Sequence, residues 1–149
     1  MIAEFQGEYR WLSNFWLLKV PIVLDGLPCW SVEHAYQAEK TENKLHRRRI
    51  IQALYPGVAK RFGRVCPVRP GWDGMRLSVM ELLVNQKFRL NPDLMLKLLE
   101  TGDQELVEGN YWGDRFWGVS GGKGENHLGR IIMKVRYELS HAPTLLASE

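Results

Sequence analysis

The stretch SVEHAYQAEK, Ser31 to Lys40, has the marks of a helix start. Ser31 is a good N-cap, because its hydroxyl can accept from the free backbone N–H groups of the first turn. Glu33 suits the positive end of the helix dipole. Glu33, Gln37 and Lys40 recur at i, i+4 and i+7, so they share one face, with Tyr36 beside them. Two readings of that face stand open. It is the wet flank of a surface helix laced by an ion pair, or it is the floor of a site. A glutamate can shuttle protons, and a desolvated lysine can attack a carbonyl carbon. Taken alone, the stretch favours the wet flank. His34 is one helical step away and reads as a structural, hydrogen-bonding histidine.

Outward from this helix, the chain is punctuated by turn signals. FWLLKVPIVLDG (Phe15 to Gly26) has an apolar run, then Pro21, then the turn signal Asp25-Gly26, which suggests strands of a small sheet, a hairpin being one form. The helix from Ser31 runs to about Thr41, and a second runs from Leu45 to about Leu54, before Pro56-Gly57. VAKRFGR is a short helix ended by Gly63. A longer one spans about Asp73 to Phe88, with Leu77, Met80, Val84 and Phe88 as its apolar stripe. Asn91-Pro92 caps the next helix and Gly102 ends it. ELVEGN reads as a strand, and Tyr111 to Asn126 as a glycine-rich loop. The last helix runs from about His127 to Leu139, on a core face of Leu128, Ile131, Ile132, Val135 and Leu139. From about residue 141 a loose tail is expected. The fold class is α+β: a single compact, mostly helical domain over residues 1–149 with a small N-terminal sheet.

The 149 residues suffice for one core, and 45% hydrophobic with 25% charged residues is ordinary for a globular chain. No apolar run is long enough for a membrane span, and the N-terminus lacks signal-peptide character. A cytoplasmic protein is therefore expected, with Cys29 and Cys66 as reduced thiols. No His/Cys/Asp/Glu set has metal spacing, and no Ser or Cys nucleophile has its partners in view. No metal or cofactor is expected. The net charge of +3 is modest but uneven, with HRRR (His46 to Arg49) and KRFGR (Lys60 to Arg64) in the middle of the chain. Such runs are more often solvated surface than anion sites. The 6 tryptophans are many for this length, and several fall in Gly/Pro/Asp-rich contexts.

NYWGDRFWGVSGGKGENHLGR concentrates further candidates. Gly121, Gly122 and Gly124 around Lys123, with a helix following, make a plausible phosphate cradle, though not a Walker A loop. A flexible surface loop is the alternative. Asp114, three residues before Trp117, either orients a sugar or base while the indole stacks, or caps a turn.

Several motifs occur in order: LSNFW (Leu12 to Trp16), VEHAYQAEK, RPGWDGMRLSVMELLVNQKF, ETGDQELVE, DRFWG and GGKGENHLGRIIMKVRYEL. This set resembles the NADAR superfamily of YbiA-like N-glycosidases, from Phe5 to about Leu139. The resemblance implies a compact α+β domain that cleaves N-glycosidic bonds of ribose phosphates. Two substrate classes follow from it: phosphoribosylamino-pyrimidines of early riboflavin synthesis, and ADP-ribose attached to guanine in DNA or RNA. The basic cluster tilts the expectation to the second.

Carried over by motif, Glu33 is the catalytic glutamate, Lys40 the Schiff-base lysine and Asp114 the loop carboxylate. Asn14, Phe15, Tyr36, Gln37, Arg64, Trp72, Trp117, Gly122 and Lys123 are the substrate-binding candidates. NYWGDRFWG departs from the family pattern by an extra tryptophan and glycine before the Asp, which bears on which ring stacks on the base. A rival from another class is a non-catalytic module for ADP-ribose or a nucleotide.

Overall fold

A computed structural model describes residues 1–141. They form two compact units, Asn14–Asn91 and a second made of Met1–Ser13 with the chain from Pro92 onward. The tail expected from about 141 lies, but for His141, outside the described residues.

The Asn14–Asn91 unit begins with the expected hairpin. Strand β1 (Ile22–Leu24) pairs antiparallel with β2 (Leu27–Cys29), with Ile22 opposite Cys29. Asp25 and Gly26 both take positive φ, the geometry a two-residue hairpin turn requires. Helix α1 (Val32–Glu39) follows, and the Ser31 side chain accepts from the His34 amide as an N-cap should. Asn43 caps α2 (Lys44–Ile51) in the same way. Helix α3 (Pro56–Val65) has proline in its first turn, where a missing N–H does no harm. Helix α4 (Trp72–Leu90) closes the unit.

Helix α1 packs against α2, α3 and α4, and every residue from Val32 to Ala38 is buried. The wet-flank reading of this helix is therefore wrong: Glu33 is 7% exposed and Gln37 8%. Two other expectations are corrected. Gly63 does not end α3, which runs on to Val65. Leu77 is exposed, and the stripe of α4 is completed instead by Trp72, Leu83 and Lys87.

In the second unit a 3-10 turn (Gly7–Leu12) precedes α5 (Pro92–Glu100), and α5 packs on α6 (His127–Ser140). The strand expected over ELVEGN is real but fragmentary. Ile2 bridges Leu106, and β3 (Gly109–Asn110) pairs in parallel with β4 (Val119–Ser120), inside the segment expected to be loop. The sheet structure is thus not confined to the N-terminal hairpin.

Candidate active site

Buried polar groups on α1 define the site candidate of the Asn14–Asn91 unit. The Gln37 amide donates through Nε2 to Glu33 Oε2 at 3.3 Å, which turns its oxygen the other way. The Glu33 backbone N–H donates to the Asn14 carbonyl at 3.0 Å, joining LSNFW to VEHAYQ. Asn14 Nδ2 reaches the Met80 sulfur at 3.4 Å. Two side-chain acceptors here, Asn14 Oδ1 and Gln37 Oε1, are buried and receive no hydrogen bond. Tyr36 packs on Trp72 with ring centroids 5.3 Å apart, and both rings are buried.

Lys40 is the C-cap of α1, and its Nζ donates to the Gly63 carbonyl at 2.9 Å. That carbonyl belongs to the last turn of α3, where the helix leaves acceptors unused. Cys66 Sγ shares it at 3.3 Å. Gly63 is also where α3 approaches Gln37: a Cβ there would overlap Gln37 Oε1 and lie 2.7 Å from its Cδ. The sequence does carry a signal for this residue, because a glycine inside a helix is unfavourable unless something needs the space.

His34 is structural. Its Nε2 faces the Ala53 carbonyl at 2.9 Å and so carries the proton, leaving Nδ1 to accept from Ser31 Oγ at 2.7 Å. Burial holds its pKa below the ordinary histidine value. Phe15 lies under Lys60 Nζ at 5.7 Å and is partly exposed, while Arg64 is exposed on the last turn of α3.

The HRRR run divides. Arg48 and Arg49 are exposed, but Arg47 is buried and fully engaged. It donates to both Asp25 oxygens at 2.8 and 3.0 Å, to Glu39 at 2.9 Å, and to the Ala38 and Thr41 carbonyls at the end of α1. These bonds raise the Arg47 pKa and lower that of Asp25. A cleft of about 550 Å³ beside it is lined by Lys44, Arg48 and Arg69, and none of the expected site residues lines it.

The remaining candidates belong to the other unit. Asp114 Oδ1 accepts from the Phe116 and Trp117 amides at 3.1 and 2.9 Å, so it does cap a turn. Trp117 is half-buried and meets Phe116 edge-on at 4.8 Å. Gly122 and Lys123 are exposed on a tight turn closed by Ser120 and Lys123. The first two amides of α6 donate to the Phe116 and Trp117 carbonyls. Those two amides are therefore committed to the protein's own backbone.

Both cysteines are buried free thiols, and burial pushes Cys29 up to about 12. Among the described residues no helix is long and apolar enough to cross a membrane, and no group of three or more His, Cys, Asp or Glu could hold a metal ion.

A helix-rich α+β chain with an acid–amide pair buried on its central helix is a specific combination, and it has relatives. The family model for the NADAR domain matches residues 3–140. A riboflavin biosynthesis protein of Vibrio vulnificus (strain YJ016) is 41% identical over 145 residues, covering 94% of this chain and 38% of that protein. The chain thus spans well under half of that relative. The N-glycosidase YbiA of Escherichia coli (strain K12) is 36% identical over 138 residues, covering 89% of this chain and 83% of that one. The NMR structure of E. coli YbiA matches with a TM-score of 0.82 at 33% identity, over 96% of this chain and 85% of that chain. The chain belongs to the NADAR family.

Proposed function

We propose that this chain is an N-glycosidase that breaks the bond between ribose C1 and an amino group outside the ring of a base. The observation that carries the reading is the buried Glu33–Gln37 pair, with the unsatisfied acceptors Gln37 Oε1 and Asn14 Oδ1 beside it. A buried acceptor left without a donor is unfavourable by about 1–3 kcal/mol. A ribose hydroxyl is a donor of the kind Asn14 Oδ1 lacks, and Glu33 supplies proton transfer at the sugar. Membership of the NADAR family, and relatives named as N-glycosidases, support the same chemistry.

A sugar on an exocyclic amine has a route closed to ordinary nucleosides. Its ring opens to an imine between C1 and the base nitrogen. The neutral Lys40 amine adds to C1, the base amine leaves with a proton, and a lysine imine remains. Water then hydrolyses that imine, releasing the sugar aldehyde and the free lysine. Lys40 must first release the Gly63 carbonyl. In the rival route Glu33 or Asp114 activates water directly, with no covalent step.

The preferred substrate is ADP-ribosyl-guanine in nucleic acid, for which the exposed Arg61 and Arg64 offer phosphate contacts. The riboflavin-named relative favours a second reading, hydrolysis of phosphoribosylamino-pyrimidines. Base release from both substrates, measured in parallel for the wild type and Glu33→Gln, tests the proposal. Turnover of at least one, falling about 10²–10⁴-fold in Glu33→Gln, is expected. Binding that survives in both proteins without turnover in either identifies a non-catalytic module instead.

A further inference from the structure

Tyr111 and Trp112 hold two large rings in solvent, 91% and 46% exposed, edge-on to each other at 5.2 Å. They belong to the loop NYWGDRFWG, Asn110 to Gly118. Nothing in the hydrogen bonding suggests a loose loop. The Asn110 side chain closes it from both sides, donating from Nδ2 to the Asp114 carbonyl at 2.9 Å and accepting from the Asp114 amide at 3.0 Å. Ser120 ties in the rest. Its Oγ accepts from the Gly113 amide at 3.2 Å, and its carbonyl accepts from Arg115 Nε at 3.1 Å and from the Lys123 amide at 3.3 Å.

One residue therefore anchors the aromatic pair and two exposed cations, Arg115 and Lys123, together. The nearby acids are each engaged. Asp114 accepts two amides, Glu125 meets His127 at 3.1 Å, and Glu108 accepts from Asn110 Nδ2.

Rings fixed in water with cations at their side suit one kind of partner. Every base has a face to stack, and every phosphate has a charge to meet. We propose that Tyr111, Trp112, Arg115 and Lys123 form a stacking surface for single-stranded nucleic acid. The N-glycosidase reading bears only on what the strand carries.

The test is fluorescence anisotropy with a labelled oligodeoxythymidylate of about a dozen nucleotides, a length within reach of such surfaces. Wild-type binding is expected, weakened about tenfold or more in Tyr111→Ala and in Trp112→Ala. Losing Lys123 (Lys123→Ala) should lower the salt slope by about 0.7. Equal binding by the wild type and both aromatic variants overturns the proposal. So does a dimer in sedimentation that Trp112→Ala converts to monomer, because the rings then serve a second copy of the chain. Strand binding that depends on the rings, in a protein that turns over neither ribosylated substrate, keeps this surface and removes the N-glycosidase reading.

Discussion

Gly63 sits inside a helix, where alanine is ordinarily the better residue by about 1 kcal/mol. Here the sign reverses, because the added methyl would meet the Gln37 amide. Gly63→Ala is expected to destabilise the protein by about 1–3 kcal/mol through overpacking. Adding Gln37→Ala to that variant should recover most of the loss. Urea unfolding of the two single variants and the double measures the coupling, and strict additivity would contradict the contact. The same glycine explains why the site was only half legible. Glu33, Gln37 and Lys40 stand out by spacing, but polar side chains on a helix give no hint that the helix is buried. The bare backbone of Gly63 lets α3 approach Gln37, and a glycine late in a helical stretch reads first as a stop signal.

At the level of elements, capping and turn residues were the legible part. Ser31 begins α1, and Asp25-Gly26 turns the hairpin, because both act through local backbone geometry. Pairings between distant segments were not legible: nothing near Ile2 announces Leu106. The basic run was misleading for a similar reason. Arg47 stands among arginines that look alike in sequence, yet it alone links the hairpin turn to the end of α1. Arg47→Ala would leave the Ala38 and Thr41 carbonyls without their donor, and about 1–3 kcal/mol of stability should go with it. Arg48→Ala, one residue along on the exposed side, should stay within about 0.5 kcal/mol of the wild type. Chemical denaturation of the pair checks the contrast.

For the molecule as a whole, Lys87 is expected to contribute to how stability depends on pH. It is 1% exposed, and burial brings its pKa from 10.5 down to about 7. Between those two values the unfolded chain binds a proton that the folded chain does not. Stability should therefore rise with pH across that window, and the burial penalty should be fully felt below it. Melting temperatures between pH 7 and 9.5 should climb in the wild type and flatten in Lys87→Met; parallel slopes would mean that another group is responsible. A residue of this kind is hard to foresee, because a lysine in a helical stripe looks like an interruption of the core and not a member of it.

The bridge from Ile2 to Leu106 has a consequence for how the chain acquires its structure. Residues 14–91 are contiguous, so all the partners within that unit have emerged before the other unit can be completed. Ile2 is made 104 residues before its mate, Leu106. During synthesis, at about 5–20 residues per second, Ile2 must wait several seconds for it. In refolding of the full chain no such delay is imposed, and the order of the two events is free to differ from that on the ribosome.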